Sequence, residues 1–445
     1  MPAPADARLP RREKVLLGLL VFLLAALGVM TEIRSAQLST RRTDFYVYTH
    51  AAWAVRTGED IYSATTPSGM HYVYPSAFAV LMLPFAEVPP WAKADGFYVP
   101  FSVSVAVWYL LSVVFLGVAV HLFARAVLPD AVRGSRRWWY ARTMPFCVCL
   151  GGVGFSLARG QVNMMLVAMF AAAFAAAVAN RRVASGVWLG FTIVLKVIPA
   201  VLLLFPFVRK DWRAGAGVAA AAVIGLVVVP VAVWGPQKAI AQHTYFVKNV
   251  VLAGASSEDG KAVGKELTET TATDSQSFVA ALHHLRHANT PRELRPRNAS
   301  RNDRLLHWAI SGVLVFLTLL AARRLTASPG DQLVYFGCAC AVMTVITPVS
   351  HMHYYAFVLP LAAGLWLRSV AGRPGEVFAD RRTFLALSAW GVATAVPLFP
   401  GVALESLRDM GFGTAATVLL WGFGLSRIGK PSQAATGTAA PLLAA

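Results

Sequence analysis

One acidic residue and two tyrosines lie in a polar loop between apolar runs, where they could act at a membrane surface. Asp44 is the second residue of the segment TDFYVYTHAAW, which contains Tyr48, and Tyr74 follows further along the chain. A carboxylate at this position could take a proton from an acceptor hydroxyl group. It could equally cap a helix, because acidic side chains are favoured at helix N-termini. Spacing alone leaves both interpretations open.

Cationic and amide side chains lie in two further turns. Arg159, Gln161 and Asn163 surround Gly160, and Lys196 interrupts an apolar segment. Burying an ionisable group in a membrane is costly, so such residues are candidates for function. Arginine and lysine at these positions could hold a phosphate group. The alternatives are a side chain that reaches the headgroup region or a structural hydrogen bond.

Two histidines, His351 and His353, lie in the last outward turn. On a helix they would point about 200° apart, so we expect no shared metal ion and prefer an acid–base or phosphate role for one of them. The sequence contains no P-loop, HExxH, GxSxG or Asp-x-Asp motif. We therefore expect no metal or cofactor site and no use of nucleotides.

The segment after Asp44 has helical spacing. Phe45, Tyr48, Ala52 and Val55 would share one apolar stripe, which predicts a helix that lies at the membrane interface. Gly58 is expected to end this helix.

The elements that position these turns are membrane helices. Hydrophobic residues make up 57% of the 445 residues and charged residues only 14%, well below the charge of a soluble domain. We expect an all-α polytopic membrane protein with about twelve membrane segments. The clearest are the uncharged runs 15–30, 96–120, 161–179, 214–234 and 305–322.

Basic clusters define the expected orientation. They flank the membrane segments at short intervals, so the positive-inside bias places both termini in the cytoplasm. These clusters account for the net charge of +18, and we expect them to contact anionic membrane lipids and not nucleic acid. Residues 183–208 have basic residues at both ends, which predicts a pair of half-spans broken near Lys196 and Pro199.

The predicted organisation is one integral membrane domain over residues 1–445. It includes a first outward catalytic loop, a second large outward loop and a disordered cytoplasmic tail, and we assign these to residues 32–90, 235–304 and 428–445 respectively.

Taken in order, these motifs resemble glycosyltransferase family 87, the polyprenol-phosphate-mannose-dependent mannosyltransferases of the GT-C superfamily. The resemblance covers roughly residues 40–370, although Ser76 stands where a second proline is usual. The matching residues are Asp44-Phe45, Tyr48, Ala51-Ala52, Gly58, Tyr62, Tyr74-Pro75, Gly160-Gln161, Asn163, Lys196, Pro199, Ser275-Gln276-Ser277 and His351.

The resemblance implies a GT-C fold and transfer of a mannosyl or other hexosyl residue from a polyprenyl-phosphate donor to a lipid or glycan acceptor. A single displacement would invert the anomeric centre, with Asp44 as the base and His351 as a second catalytic residue. The expected substrate-binding residues are Tyr48, Tyr74, Arg159, Gln161, Asn163, Lys196, Gln276 and His353.

Two other functions remain open from the sequence. A secondary transporter or flippase for a sugar or lipid would place ionisable groups near the membrane midplane and often shows internal repeats. Here the ionisable groups are predicted at outer ends, and no repeat is apparent. A non-catalytic membrane scaffold would leave Asp44 and the Arg159 turn without a role.

Overall fold

The chain is helical throughout the part that the structure describes. The computed structural model describes residues 9–38, 43–67, 69–90, 92–93, 96–253, 269–270, 275–373, 376–396, 399 and 402–430. Within these ranges no strand forms, and the two β-bridges, Thr65 with His71 and Glu269 with Asn298, are isolated. The all-α prediction is confirmed for this part of the chain.

Eighteen α-helices are numbered here in chain order over the described residues. The first nine are α1 Arg11–Glu32, α2 Asp44–Thr57, α3 Ser76–Leu81, α4 Phe101–Val127, α5 Arg136–Val148, α6 Leu150–Ala158, α7 Asn163–Val178, α8 Arg182–Leu195 and α9 Leu204–Val208. The others are α10 Trp212–Val223, α11 Val229–Phe246, α12 Phe278–Arg286, α13 Arg301–Ala321, α14 Pro329–Ile346, α15 Leu359–Ala371, α16 Arg381–Ala395, α17 Val402–Asp409 and α18 Phe412–Arg427.

The protein is a multi-pass membrane protein. Among the described residues, six helical stretches are long and apolar enough to cross a membrane, and α5 with α6, bent by 70°, would make a seventh. Shorter apolar helices cover Asn163–Val178, Arg182–Leu195 and Ile198–Val208. The count of about twelve segments stays a prediction. The six stretches are Arg11–Gln37, Phe101–Val127, Trp212–Leu252, Arg301–Arg324, Pro329–Ile346 and Met352–Ala371.

The membrane segment predicted to end at residue 234 meets a break there in the structure. Gly235 has non-helical backbone angles (φ 76°, ψ 164°) between two helical stretches, and the second of them continues to Leu252. Glycine adopts this conformation readily, and Pro236 is compatible with the first turn of the second helix. Lys238 Nζ then donates a hydrogen bond of 2.5 Å to the carbonyl of Gly58. The start of the predicted 235–304 loop is therefore a helix that contacts the end of α2.

The chain is interrupted at Lys196. Helix α8 ends at Leu195, Lys196 is extended (φ −153°, ψ 124°), and a 3-10 turn follows at Ile198–Leu203. Pro199 contributes because it has no N–H to donate to the carbonyl of Leu195, four residues earlier, and its ring would clash with that carbonyl in a continuous helix. The helix thus ends where the sequence predicts, whereas a hairpin of two half-spans stays a prediction.

Basic residues from distant parts of the chain are held at one end of the helices. Arg136 pairs with Glu13 at 2.6 Å, and Arg427 pairs with Asp380 at 3.1 Å. Helices α7 and α8 run between this end and the turns that carry Gly160 and Lys196. At about 1.5 Å per residue, a helix of this length separates the two ends by more than 20 Å.

The predicted tail begins within the packed part of the protein. Ile428 is buried, and the backbone N–H of Gly429 donates to Asp331 Oδ2 at 3.1 Å. Arg368 also pairs with Asp331 and donates to the carbonyl of Lys430. Residues 431–445 of the predicted tail lie outside the described residues.

Glycines allow α8 and α10 to pack closely, and this contact orients the helix that ends at Lys196. A Cβ atom on Gly186 would lie 1.9 Å from the carbonyl oxygen of Ala214, and one on Gly217 would lie 2.2 Å from that of Val183. Small residues permit this kind of backbone approach between membrane helices.

We expect Gly217→Val to destabilise the protein by roughly 1–3 kcal/mol, because the added side chain forces the two helices apart. Thermal unfolding of the detergent-purified protein measures the change. Gly215→Val is the matched control, since a Cβ at Gly215 meets no atom within 4 Å. Equal effects of the two substitutions would contradict the close packing.

Candidate functional site

Helix α2 is buried inside the protein. It begins at Asp44 and ends at Thr57, and Gly58 terminates it with a φ of 76°, as predicted. Every residue from Phe45 to Val55 is buried, so α2 is covered on all sides and not only along the predicted apolar stripe. Its position at the membrane interface stays a prediction. Aromatic side chains pack against Phe45 and Tyr48, two members of that stripe. The covering rings come from Tyr74, Phe78, Phe85, Phe101 and Trp108.

The carboxylate of Asp44 lies at the start of α2 without a hydrogen bond that would use it as a cap. Its Oδ2 atom is buried and accepts no hydrogen bond from any described residue. The nearest cation is Arg159, whose Nη1 atom lies 3.9 Å from Oδ2. Asp44 therefore has a buried carboxylate oxygen with unused hydrogen-bonding capacity.

The Arg159 turn is fixed against the start of α2. The backbone N–H of Asp44 donates to the carbonyl of Arg159 at 3.1 Å, and Trp108 Nε1 donates to the carbonyl of Gly160 at 2.9 Å. Gly160 has a φ of 64°, and a Cβ there would lie 2.6 Å from Cβ of Phe45. Only glycine combines this backbone conformation with such a close approach. The turn thereby holds the Arg159 side chain beside Asp44.

Two buried tyrosines share one amide oxygen. The hydroxyl groups of Tyr48 and Tyr74 lie 2.9 Å apart, and they lie 3.1 and 3.3 Å from Gln161 Oε1. Burial raises the pKa of Tyr48 and of Tyr74 well above the usual value, and the negative charge of Asp44 adds to the effect. Both phenols therefore stay protonated and act as hydrogen-bond donors.

Lys196 is buried among aromatic rings. Its Nζ atom donates to Asn163 Oδ1 at 3.2 Å and lies 4.4 Å from the ring centroid of Tyr354. The rings of Tyr74 and Phe357 lie at 5.3 and 5.6 Å. Among the described residues, no carboxylate lies within salt-bridge distance of this ammonium group.

The two histidines lie side by side, and the prediction that they point apart is wrong. The ring centroids of His351 and His353 are 5.4 Å apart, with an interplanar angle of 28°. The reason is that His351 is extended (φ −92°, ψ 165°) and the 3-10 turn begins only at Met352. The backbone carbonyl of His353 accepts a hydrogen bond from Asn163 Nδ2 at 3.0 Å, which joins this turn to the Lys196 group.

Gln276 is placed beside the histidine turn. Its backbone N–H donates to the carbonyl of Ser350 at 2.5 Å, and its side-chain Nε2 donates to the carbonyl of Arg408 at 2.8 Å. The backbone carbonyl of Gln276 accepts a hydrogen bond from the hydroxyl group of Thr414. Gln276 thus joins the segment before α12 to α17 and α18, and none of these contacts is with Asp44 or Lys196.

One residue of the site, Tyr354, was missed as a candidate in the sequence. Its ring contacts Lys196, and it lies 4.7 Å from the ring of His353. The signal that could have identified it is its position directly after His353, in the turn already chosen. No set of three His, Cys, Asp or Glu side chains that could hold a metal ion occurs among the residues described.

These features define a helical membrane protein with a carboxylate, two cations and two histidines gathered at one end. The family model of glycosyltransferase family 87 matches residues 72–348, which is more than half of the chain. The protein therefore belongs to glycosyltransferase family 87 and is a membrane glycosyltransferase. The match includes Tyr74, Arg159 and Lys196, but it begins after Asp44 and ends before His351.

Curated relatives are similar over most of the chain. A polyprenol-phosphate-mannose-dependent alpha-(1-2)-phosphatidylinositol mannoside mannosyltransferase of Mycobacterium tuberculosis is 26% identical over 340 residues, covering 74% of this chain and 71% of that protein. The protein of the same description from Mycolicibacterium smegmatis is 23% identical, with 89% of this chain and 86% of that protein covered.

Among solved structures, ArnT from Cupriavidus metallidurans bound to undecaprenyl phosphate overlaps 92% of this chain and 78% of its own, with 16% identity and a TM-score of 0.43. Its apo structure gives 14% identity and the same TM-score, with 93% and 78% covered.

Proposed function

We propose that this glycosyltransferase moves a mannosyl or other hexosyl residue from a polyprenyl-phosphate donor to a hydroxyl group of a lipid or glycan acceptor. The observation that carries the proposal is the approach of Arg159 to Asp44, at 3.9 Å, with the buried cation of Lys196 in the same group of side chains. A base and phosphate-binding cations are the two parts that such a transfer needs. The curated relatives are described as polyprenol-phosphate-mannose-dependent, which supports this donor class.

In the proposed mechanism, Asp44 accepts the proton of the acceptor hydroxyl as its oxygen bonds to the anomeric carbon. The bond between that carbon and the phosphate oxygen breaks, and the polyprenyl phosphate leaves with the electron pair. Arg159 and Lys196 stabilise the charge that develops on the phosphate, and they do so strongly because the surroundings are partly apolar. Attack from the face opposite the phosphate inverts the anomeric centre.

The remaining polar residues would shape the substrate site. Asn163 orients Lys196, and the hydroxyl pair of Tyr48 and Tyr74 with Gln161 provides neutral hydrogen-bonding groups beside Asp44. His351 would assist the base or contact the phosphate. His353 and Gln276 would complete the substrate-binding set on the histidine turn. The proposed fold is of the GT-C type.

We also propose that the site faces outward across the cell membrane and that both termini are cytoplasmic. In this arrangement residues 32–90 and 235–304 lie outside, within one integral membrane domain over residues 1–445. The hydrogen bond from Lys238 to Gly58 supports a common side for the two regions, since it joins one to the other. The arginine clusters at the opposite end fit the positive-inside bias.

The first test is transfer from labelled polyprenyl-phosphate-mannose by membranes that contain the protein. We expect the wild type to label a lipid or glycan product and Asp44→Asn to lower the rate by about 100-fold or more, because general base catalysis is lost. Glu59→Gln is the control. It replaces an exposed acidic residue just beyond the end of α2 and should leave the rate unchanged. Transfer by Asp44→Asn at the wild-type rate would refute the role of Asp44 as base.

A second test concerns the two cations. We expect Arg159→Ala to raise the KM for the donor by about tenfold while the acceptor KM stays within about twofold, since a charged hydrogen bond to phosphate is removed. Lys196→Met should act in the same direction with a smaller effect. Arg56→Ala removes an exposed cation that bonds to the carbonyl of Phe97 and should leave donor kinetics unchanged. Unchanged donor kinetics in both site variants would move the phosphate site elsewhere.

A third test concerns orientation. In a variant without the native cysteines, Glu59→Cys and Leu285→Cys should react with a membrane-impermeant maleimide added to intact cells, because both positions are exposed in the proposed outward regions. Asp130→Cys, exposed in the connection between α4 and α5, should react only after the membrane is opened. Labelling of the first two positions from opposite sides would contradict the proposed topology.

A further inference from the structure

The ring of Tyr354 is the aromatic surface closest to the ammonium group of Lys196. The distance of 4.4 Å from Nζ to the ring centroid is within the range of a cation–π interaction, and the rings of Tyr74 and Phe357 are about 1 Å further away. Since Lys196 has only Asn163 as a hydrogen-bond partner among the described residues, these rings supply much of its compensation for burial. Tyr354 therefore helps to fix the position of the Lys196 ammonium group.

The hydroxyl group of Tyr354 differs from those of the neighbouring tyrosines. Tyr62 and Tyr72 donate to the backbone carbonyls of Tyr74 and Pro75. Tyr48 and Tyr74 bond to each other and to Gln161, as described above. Within the described part of the chain, the Tyr354 hydroxyl makes no hydrogen bond, although only 9% of this residue is exposed. The hydroxyl oxygen itself is reachable by solvent, so it can donate a hydrogen bond to a bound group.

The surroundings of this hydroxyl indicate what kind of group it could bind. Lys196 Nζ lies 4.4 Å from the ring centroid of Tyr354 and 5.3 Å from that of Tyr74, and the rings of His353 and Tyr354 are 4.7 Å apart, so the Tyr354 side chain lies inside the site. Lys196 lies against the face of the same ring. A group bound by Lys196 would therefore lie next to the Tyr354 side chain.

We propose that Tyr354 binds the donor phosphate directly, with its ring orienting Lys196 and its hydroxyl donating a hydrogen bond to a phosphate oxygen. This inference rests on the function proposed above. An anionic phosphate has several acceptor oxygens, and Lys196 uses one of its three N–H donors on Asn163. The neutral phenol adds a donor without adding charge to a site that already holds two cations.

The test uses the full-length protein in detergent or lipid nanodiscs and compares Tyr354→Phe, Tyr354→Leu and Tyr355→Phe. Tyr354→Phe keeps the ring and removes only the hydroxyl, so we expect about a tenfold rise in donor KM with an unchanged acceptor KM. Tyr354→Leu also removes the cation–π contact and should cost about a further fivefold. Tyr355→Phe is the matched control, because that hydroxyl lies 3.3 Å from Thr414 and away from Lys196.

Inhibition by a polyprenyl phosphate without sugar identifies the part of the donor that is bound. We expect Tyr354→Phe to weaken this inhibition about as much as it raises donor KM. If inhibition is unchanged while donor KM rises, the hydroxyl contacts the sugar and the phosphate assignment is wrong. Donor kinetics like the wild type in Tyr354→Phe, or an equal loss in Tyr355→Phe, would also overturn the proposal.

The ring and the underlying function are tested separately. Equal donor kinetics of Tyr354→Leu and Tyr354→Phe, with both variants folded by size-exclusion chromatography, would refute the orienting role of the ring. Should the wild type transfer no sugar from the labelled donor, the proposed function fails before any variant is compared. A wild type that transfers mannose together with an unaffected Tyr354→Phe would refute only the inference about Tyr354.

Discussion

The site depends on how a membrane protein compensates buried charge. Lys196 is 5% exposed, and one amide oxygen and three aromatic rings surround its ammonium group. Among the described residues, no carboxylate lies within salt-bridge distance of it. Compensation of this kind is incomplete, since an ion pair with further hydrogen bonds would satisfy the charge better. The charge of Asp44 is also incompletely compensated, because Arg159 approaches its carboxylate only to 3.9 Å. Groups left with unused capacity in this way are prepared to bind a charged substrate.

The backbone around Gly160 links the two halves of this arrangement. This turn connects α6 to α7. The carbonyl of Arg159 accepts a hydrogen bond from the backbone N–H of Asp44, and the α-carbon of Gly160 packs against Phe45. Asn163, three residues later, holds both Lys196 and the backbone of His353. One short turn therefore sets the relative positions of the carboxylate, both cations and the histidine turn.

A transferase and a transporter can be compared by where they place these groups. A transporter needs charged groups where a substrate crosses, near the middle of the membrane. Here Asp44 starts α2, Arg159 follows α6, and Lys196 follows the last residue of α8, so all three lie at helix ends, which broken helices of transporters also provide. Membership of glycosyltransferase family 87 is therefore what decides for a transferase.

The sequence by itself determined the features that depend on local chemistry. Hydropathy identified long membrane helices, Gly58 predicted the end of α2, and Pro199 predicted the break at Lys196, because each effect acts within a few residues. Contacts between distant segments decided the rest. The burial of α2 on every face, the stacking of His351 on His353 and the contact of Tyr354 with Lys196 depend on neighbours that periodicity does not contain. Similarly, the helix beyond Gly235 lies next to the end of α2, where Lys238 donates a hydrogen bond to the carbonyl of Gly58. Sequence patterns therefore selected most of the chemical groups, whereas tertiary packing fixed their distances and revealed which of them lack a partner.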